Sequence, residues 1–292
     1  MFTLPISEKT IDLERIIRDK SEKLYRRLPR FVIGWLNRLL HVDELNAYLY
    51  KERDAWGIDF ATAILDDFGC RITLQGAENL PASGRYILVA NHPLGGLDGM
   101  AIISRVGAVR PDILFPVNDF LMALPNLRPV FVPIDKTGRN IHNQRLLAEA
   151  FASDNLLLYF PAGLCSRKQK DGGIRDEEWK KTFIAKARET QRDIIPVFVD
   201  GKNSCFFYNF ARWRKRLGLK FNFEQLFLVD EMFKQKGREI RLTVGRPISR
   251  SVLEDRSLSD RDWAQAVKAH VYRLADDPQA AFAPRPASTL SI

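Results

Sequence analysis

The stretch 85-RYILVANHPLGGLDGM-100 decides how this chain folds. Residues 86–90, YILVA, are apolar without a break and are followed at once by turn-forming residues, which is the pattern of a short strand buried on both faces. Pro93 disfavours a helical conformation at His92. Gly95 and Gly96 tolerate the positive φ that a tight loop demands. The chain is therefore read as leaving a strand at Asn91, looping through residues 93–96 and entering a helix near Asp98, where a carboxylate is favoured by the helix N-terminus. On one continuous helix, residues six apart point to different faces. Across a strand–loop–helix turn, His92 and Asp98 can meet. A carboxylate on one imidazole nitrogen fixes the tautomer and raises the basicity of the other, which can then take a proton from a hydroxyl or an amine. Taken by itself, the same pair is equally well a buried histidine bonded to a helix-capping aspartate.

The texture on either side agrees with that reading. Short apolar, β-branched runs recur at 71–76, 113–118, 129–134, 155–161, 194–201 and 239–248, with helical segments near 98–106, 140–152, 176–190 and 203–217. Strands alternating with helices predict an α/β fold, a mixed and mostly parallel sheet flanked by helices. Residues 1–68 read as an N-terminal helical arm. Within it, 28-LPRFVIGWLNRLLH-41 places Leu28, Phe31, Val32, Trp35, Leu36, Leu39 and Leu40 at helical spacing, accompanied by Arg26, Arg27, Arg30 and Arg38, with Pro29 in its first turn. This basic amphipathic helix is the arm's candidate for membrane-surface contact. A second helical piece, 59–68, stops at Gly69. Residues 69–275 form the expected main domain, closed by a helix that Ser259 caps and that carries Trp263, Val267, Val271 and Leu274. The Pro- and Ala-rich tail, 276–292, is expected to be disordered.

Composition narrows the class. The 292 residues are 46% hydrophobic and 28% charged, ordinary for a folded protein, and the net charge is +9. An excess of positive charge favours anionic partners such as a lipid surface, nucleic acid or an acidic substrate. The three cysteines, Cys70, Cys165 and Cys205, have no CxxC spacing, which suggests a reducing compartment and gives no zinc signature. Charged residues come too early at the N-terminus for a secretory signal. No run of about 18 apolar residues exists for a membrane span. No zinc-finger, RNA-binding-sheet or helix-turn-helix pattern points to nucleic acid.

The motifs resemble, in order, those of the glycerolipid acyltransferase superfamily, relatives of 1-acylglycerol-3-phosphate acyltransferase. The family's N-H-x4-D at a strand-to-helix loop appears as Asn91-His92 and Asp98, with one extra residue between the pair. Its second motif resembles 130-VFVPIDK-136, with Lys136 in place of the usual arginine. The third, F-P-E-G-T-R, has its counterpart in 160-FPAGLC-165, followed by Ser166 and Arg167. The fourth resembles 194-IIPVFV-199. The resemblance covers roughly residues 70–250. It implies a glycerol-3-phosphate acyltransferase-like fold and acyl transfer from a thioester, acyl-CoA or acyl carrier protein, to a lipid hydroxyl, with His92 as general base and Asp98 as its orienting partner. Backbone N–H groups of the glycine loop or near Gly163 would meet the oxyanion. No metal or resident cofactor is implied, the thioester being a co-substrate. The implied place is the bacterial cytoplasm, on the cytoplasmic face of the inner membrane.

The departures shape the acceptor. The glutamate and arginine that the family associates with glycerol phosphate are Ala162 and Cys165 here. A phosphate ordinarily demands clustered cations, and Arg139, Arg167, Lys168 and Lys170 stand close in sequence. The combination NHPLGGLDG plus FPAGLCSRK resembles bacterial enzymes that O-acylate a lyso-aminolipid, an N-acylated glycine, serine-glycine or ornithine, whose carboxylate suits a relocated basic group. The substrate-facing set implied is Asn91, Gly95, Gly96, Lys136, Arg139, Phe160, Pro161, Gly163, Ser166, Arg167 and Lys168. Three alternatives stand beside it: a lysophosphatidate acyltransferase of phospholipid synthesis, a thioesterase or lipid hydrolase that activates water with the same pair, and a non-catalytic membrane-binding module.

Other residues have ordinary readings. Cys165 is a conceivable nucleophile, but a small buried turn residue is the simpler expectation. His41 and His142 read as solvated, and His270 as a satisfied core histidine on the last helix. The segment 205–229 mixes aromatics with Arg212, Arg214, Lys215, Arg216 and Lys220. That pattern suits a membrane interface. The plainer expectation is a helix burying Phe206, Phe207, Phe210 and Trp213 with its cations in solvent.

Overall fold

The computed structural model describes residues 10–118, 121–134, 140–219 and 221–284. Five helices lead the chain: α1 (Leu13–Lys20), α2 (Glu22–Arg27), α3 (Arg30–Leu39), α4 (Val42–Lys51) and α5 (Gly57–Asp67). The strand β1 (Arg71–Gln75) follows, then β2 (Tyr86–Ala90), α6 (Gly96–Gly107), β3 (Phe115–Val117), β4 (Phe131–Pro133), α7 (Ile141–Ala152) and β5 (Leu157–Tyr159). A two-residue-per-strand hairpin, β6 (Arg167–Lys168) and β7 (Ile174–Arg175), precedes α8 (Thr182–Glu189), β8 (Asp193–Asp200), α9 (Cys205–Arg216), α10 (Leu228–Phe233), β9 (Glu239–Val244), α11 (Arg250–Leu253) and α12 (Asp260–Arg273).

The main sheet runs β1-β9-β8-β2-β5. β1 pairs parallel with β9, and β8, β2 and β5 are mutually parallel. Only β8 against β9 is antiparallel, so the sheet is mixed and mostly parallel, as the alternation predicts. In β2 the alternation of side chains feeds two cores. Leu88 and Ala90 join Ile195, Val197 and Val199 under α5 and α6. Ile87 and Val89 join Ile194 against Phe183 and Ile184 of α8 and Trp263, Val267 and Val271 of α12. Burial on both faces explains why the strand reads as one unbroken apolar run. Arg192, wholly buried, ties this region together by donating to the carbonyls of Tyr86, Phe151 and Asn155. Burial lowers its pKa to about 10.

Several expectations are corrected here. The break expected between residues 68 and 69 is not a break in packing, because Phe60, Ala61, Ile64 and Leu65 of α5 lie in the sheet's own core. The segment expected as a helix over 28–41 is α3 alone, and Pro29 is its N-cap with extended backbone rather than a first-turn residue. Ile33 is the buried residue of α3, while Phe31 and Trp35 are 77% and 50% exposed. Residues 176–181, expected in the helix at 176–190, precede α8. The tail is not disordered from residue 276 onward: Phe282 packs on Trp263 and His270, with ring centroids 6.3 and 5.3 Å away. The remainder, 285–292, lies outside the described residues.

Candidate active site

The site is built at the end of β2. Asn91 fixes that end to β8, donating from Nδ2 to the Val199 carbonyl at 2.9 Å and accepting from the Val199 N–H at 2.7 Å. The chain then turns. Gly95 adopts φ +76°, ψ −126°, a conformation that penalises any side chain. Gly96 has no positive φ and begins α6; one glycine makes the turn, and the other opens the helix.

The turn brings His92 Nδ1 to 2.9 Å from Asp98 Oδ2. The same oxygen accepts the backbone N–H of Leu94 and of Gly95, at 2.9 and 3.1 Å. The two backbone N–H donors on this oxygen make Asp98 Oδ2 an acceptor. Nδ1 therefore carries the hydrogen and Nε2 is the basic nitrogen. Asp98 is wholly buried, and His92 keeps 19% of its side chain exposed. Burial pushes the Asp98 carboxyl above the usual range, against the pull of His92 and the Leu94 N–H. The Asp98 carboxylate thus meets both the start of α6 and the imidazole. Phe160 stacks on the His92 ring, centroids 4.3 Å apart at 27°, and Phe115 meets Phe160 edge-on at 5.5 Å.

The loop after β5 clasps the histidine backbone. Ser166 N–H donates to the His92 carbonyl at 2.8 Å. Asp176, 1% exposed, accepts the His92 N–H at 3.2 Å and the Ser166 hydroxyl at 2.6 Å on Oδ1, and Trp179 Nε1–H at 2.8 Å on Oδ2. Its own N–H donates to Tyr272 Oη at 2.7 Å, which brings α12 to the site. Asp176 escaped the sequence reading because 175-RDEEWKK-181 looks like a solvated charge run. Lys180 escaped for the same reason: a methyl group at Gly163 would lie 3.1 Å from its Nζ, so this exposed cation stands over the turn after β5.

The expected substrate-facing residues divide. Phe160 and Ser166 serve the histidine, and Asn91 and Gly95 shape the loop. Pro161 accepts the Lys180 N–H on its carbonyl. Gly163 takes φ +67° and donates to the Phe160 carbonyl. The N–H groups of Leu94, Gly95 and Gly163 are thus engaged, which removes three of the amides expected for an oxyanion. Arg167 is 8% exposed and turned inward: Nη1 donates to the Cys165 and Ser166 carbonyls and Nη2 to Glu224 at 3.0 Å. Glu224, wholly buried, also binds Arg214 Nε at 2.7 Å. Arg167 therefore braces the loop, whereas Lys168 and Lys170 are exposed. Lys136 and Arg139 lie outside the described residues. Cys165 is buried with its thiol driven far above the ordinary range by burial, the turn residue expected rather than a nucleophile.

His142 is exposed as expected. His41 is not solvated: it stacks on Phe233 at 4.2 Å and Nε2 lies 3.1 Å from Asp230. His270 is fully buried, but its Nε2 has no partner among the described residues, so it is a core histidine only half satisfied. Among the described residues no group of three or more His, Cys, Asp or Glu is placed to hold a metal. No described helix is long and apolar enough to cross a membrane.

Residues 15–281 match the family model described as acyltransferase. The chain belongs to the acyltransferase family. Two curated relatives, both named lyso-glycine lipid O-acyltransferase, come from Phocaeicola vulgatus and Bacteroides thetaiotaomicron. Each is 44% identical to this acyltransferase over 266 residues, covering 90% of this chain and 95% or 97% of the relative. They bear out the resemblance to lyso-aminolipid O-acyltransferases read from NHPLGGLDG and FPAGLCSRK. Among solved structures, the 1-acyl-sn-glycerophosphate (LPA) acyltransferase PlsC from Thermotoga maritima aligns with TM-score 0.49 and 18% identity, over 84% of this chain and 89% of that one. The family match begins inside the arm, at residue 15.

Proposed function

We propose that this acyltransferase moves a fatty acyl group from a thioester, acyl-CoA or acyl carrier protein, to the hydroxyl of a lyso-aminolipid of the N-acyl glycine type, at the cytoplasmic face of the bacterial inner membrane. The observation that carries the reading is the 2.9 Å contact between His92 Nδ1 and Asp98 Oδ2, which leaves Nε2 as the base on a side chain that is 19% exposed. In the first step Nε2 takes the acceptor's hydroxyl proton as the oxygen attacks the thioester carbonyl carbon. The imidazolium so formed is stabilised by Asp98. The tetrahedral oxyanion is met by the backbone N–H of Gly96 or Leu97 at the start of α6, the Asp98 N–H being taken by the Gly95 carbonyl. Collapse expels the thiolate, which recovers the proton from His92. No resident cofactor is needed. Lys168 and Lys180, exposed beside the loop after β5, suit the acceptor's carboxylate, and the names of the two relatives favour a glycine headgroup.

The test is a product analysis with purified enzyme, thioester donor, and lyso-glycine lipid or lysophosphatidate as competing acceptors. A diacylated aminolipid is expected, with kcat falling roughly 10²–10⁴-fold in His92→Ala and also in Asp98→Asn. Phosphatidate as the main product overturns the acceptor. Free fatty acid as the main product makes the protein a hydrolase.

A further inference from the structure

The segment 205–223 turns out to have two apolar stripes instead of one. Phe207, Tyr208 and Ala211 of α9 are buried against the loop after β5. On the other side Phe206 and Trp213 are 51% and 56% exposed, with the partly buried Phe210 between them. Leu217, Leu219 and Phe221 extend that second stripe past the helix end, at 54%, 43% and 65% exposed. The rings hold each other: Phe206 stacks on Phe210 at 5.8 Å, Phe227 meets both at 5.1 and 5.2 Å, and Phe221 packs on Phe223 at 4.8 Å. This is a preformed apolar face, where a helix of this length ordinarily shows solvent a polar one.

Within the segment the charge has one sign, and the acid that reaches it from outside, Glu177, meets Lys215 at 3.4 Å on the side away from the apolar stripe. Residues 205–223 contain no Asp or Glu, and Arg212, Lys215 and Arg216 are exposed. The next acid, Glu224, is wholly buried between Arg167 and Arg214. We infer that this face docks on an anionic lipid bilayer, with Trp213, Leu217 and Phe221 in the headgroup–acyl boundary and Arg212 and Arg216 on lipid phosphates. Aromatic rings beside Arg and Lys are what that boundary selects. A second copy of the chain is the poorer occupant, because a two-fold contact would set the same cations against each other.

The placement serves the chemistry; in this respect the inference rests on the proposed function. The back of the face walls the site. The Arg167 guanidinium sits over the Phe207 ring at 5.0 Å, and a methyl group at Gly95 would lie 3.5 Å from Leu228, the residue after Phe227. Buried Glu231 of α10 accepts both the N–H and the hydroxyl of Ser204, the N-cap of α9, so face and glycine loop share one support. A lyso-lipid leaving the bilayer beneath α9 would meet the His92 loop without crossing open water.

Vesicle sedimentation tests this with no turnover required. Wild-type protein is expected to bind phosphatidylcholine–phosphatidylglycerol vesicles and to bind pure phosphatidylcholine weakly. Trp213→Glu with Phe221→Glu, both on solvent-exposed positions, should lower binding to the anionic vesicles about tenfold or more, while Trp35→Glu on α3 lowers it less. The double variant should also keep its activity on detergent-dispersed acceptor and lose it on vesicle-embedded acceptor. Equal vesicle binding by the double variant and wild type overturns the inference. So does a wild-type dimer that the substitutions dissociate, or binding of a single-stranded oligonucleotide that vesicles do not displace. An enzyme that makes no diacyl lipid under any condition defeats the proposed function but leaves the vesicle result to decide this one.

Discussion

At the end of β2 and on the outer side of α9, the molecule departs from the usual sorting of residues in opposite directions. Around His92, polar groups are inside: Asn91, Asp98, Ser166 and Asp176 are each 2% exposed or less. Along α9 and the turn after it, large apolar groups are outside. The inside departure is largely compensated, since Asn91 makes a reciprocal pair with Val199 and Asp176 takes three donors, although Asp98 Oδ1 has no partner among the described residues. The outside departure has no such compensation among the described residues beyond the contacts of the rings with one another. Buried polar groups cost little once paired, whereas exposed rings are left for something else to cover. The first region is therefore stabilised by its own fold, and the second awaits contact.

That contrast predicts unequal sensitivity to mutation. The largest effect on stability is expected at Asp176. Changing it to Ala strands the His92 N–H, the Ser166 hydroxyl and the Trp179 N–H in a dry environment, each at a cost of about 1–3 kcal/mol. A loss of about 3 kcal/mol or more should appear in urea denaturation, along with a fall in kcat as the His92 backbone loosens. A loss below about 1 kcal/mol, on the order of a surface substitution, would show that the compensation is not what holds this region.

A smaller effect comes from a buried polar group without full compensation. His270 has its pKa lowered to about 4, first by burial and then by Arg273. Its Nε2 lacks a partner. The unfolded histidine takes up its proton near pH 6.5 and the folded one resists until about pH 4, so the stabilisation is present above pH 6.5 and is lost as the pH falls through that window. Each pH unit between the two values is worth about 1.4 kcal/mol, so the loss reaches a few kcal/mol. His270→Leu should flatten the curve and be at least as stable at neutral pH, as thermal melts between about pH 4 and 7 would show.

The smallest effect is expected on the face. Trp213→Ser or Phe221→Ser should move the unfolding free energy by no more than about 0.5 kcal/mol, because little is packed against those rings. A larger loss would mean that the exposed stripe supports the fold after all.

The two regions also differ in how far the sequence discloses them. The strand, the turn and the meeting of His92 with Asp98 are local: an apolar run, Pro93 and two glycines suffice, and the bond spans six positions. Asp176 is invisible by comparison. It lies in a run of charges, and it is buried because Tyr272, 96 positions away, and Trp179 close over it. Arg167 misleads for a related reason. Beside Lys168 it reads as a free cation, and only the distant Glu224 turns it inward. On α9 the pattern of aromatics and cations is legible, but a helix with two apolar stripes does not announce which one the core takes. The expectation that all four aromatics would be buried holds for Phe207 alone. The long apolar strands make the sheet readable, while the hairpin β6–β7, two residues per strand, leaves no periodicity to read.

One contact inside the site has an evolutionary meaning. A methyl group at Gly95 would stand 3.4 Å from Cys165 Sγ, so the two positions share a single small volume. While the loop keeps its present path, drift at 165 is confined to small residues, and drift at 95 is closed by the backbone itself. Where the resembled motif has an arginine, this chain has Cys165. Where that motif has four residues between histidine and aspartate, this chain has five. An arginine at 165 would have to displace the Gly95 turn, and with it the loop that sets His92 on Asp98.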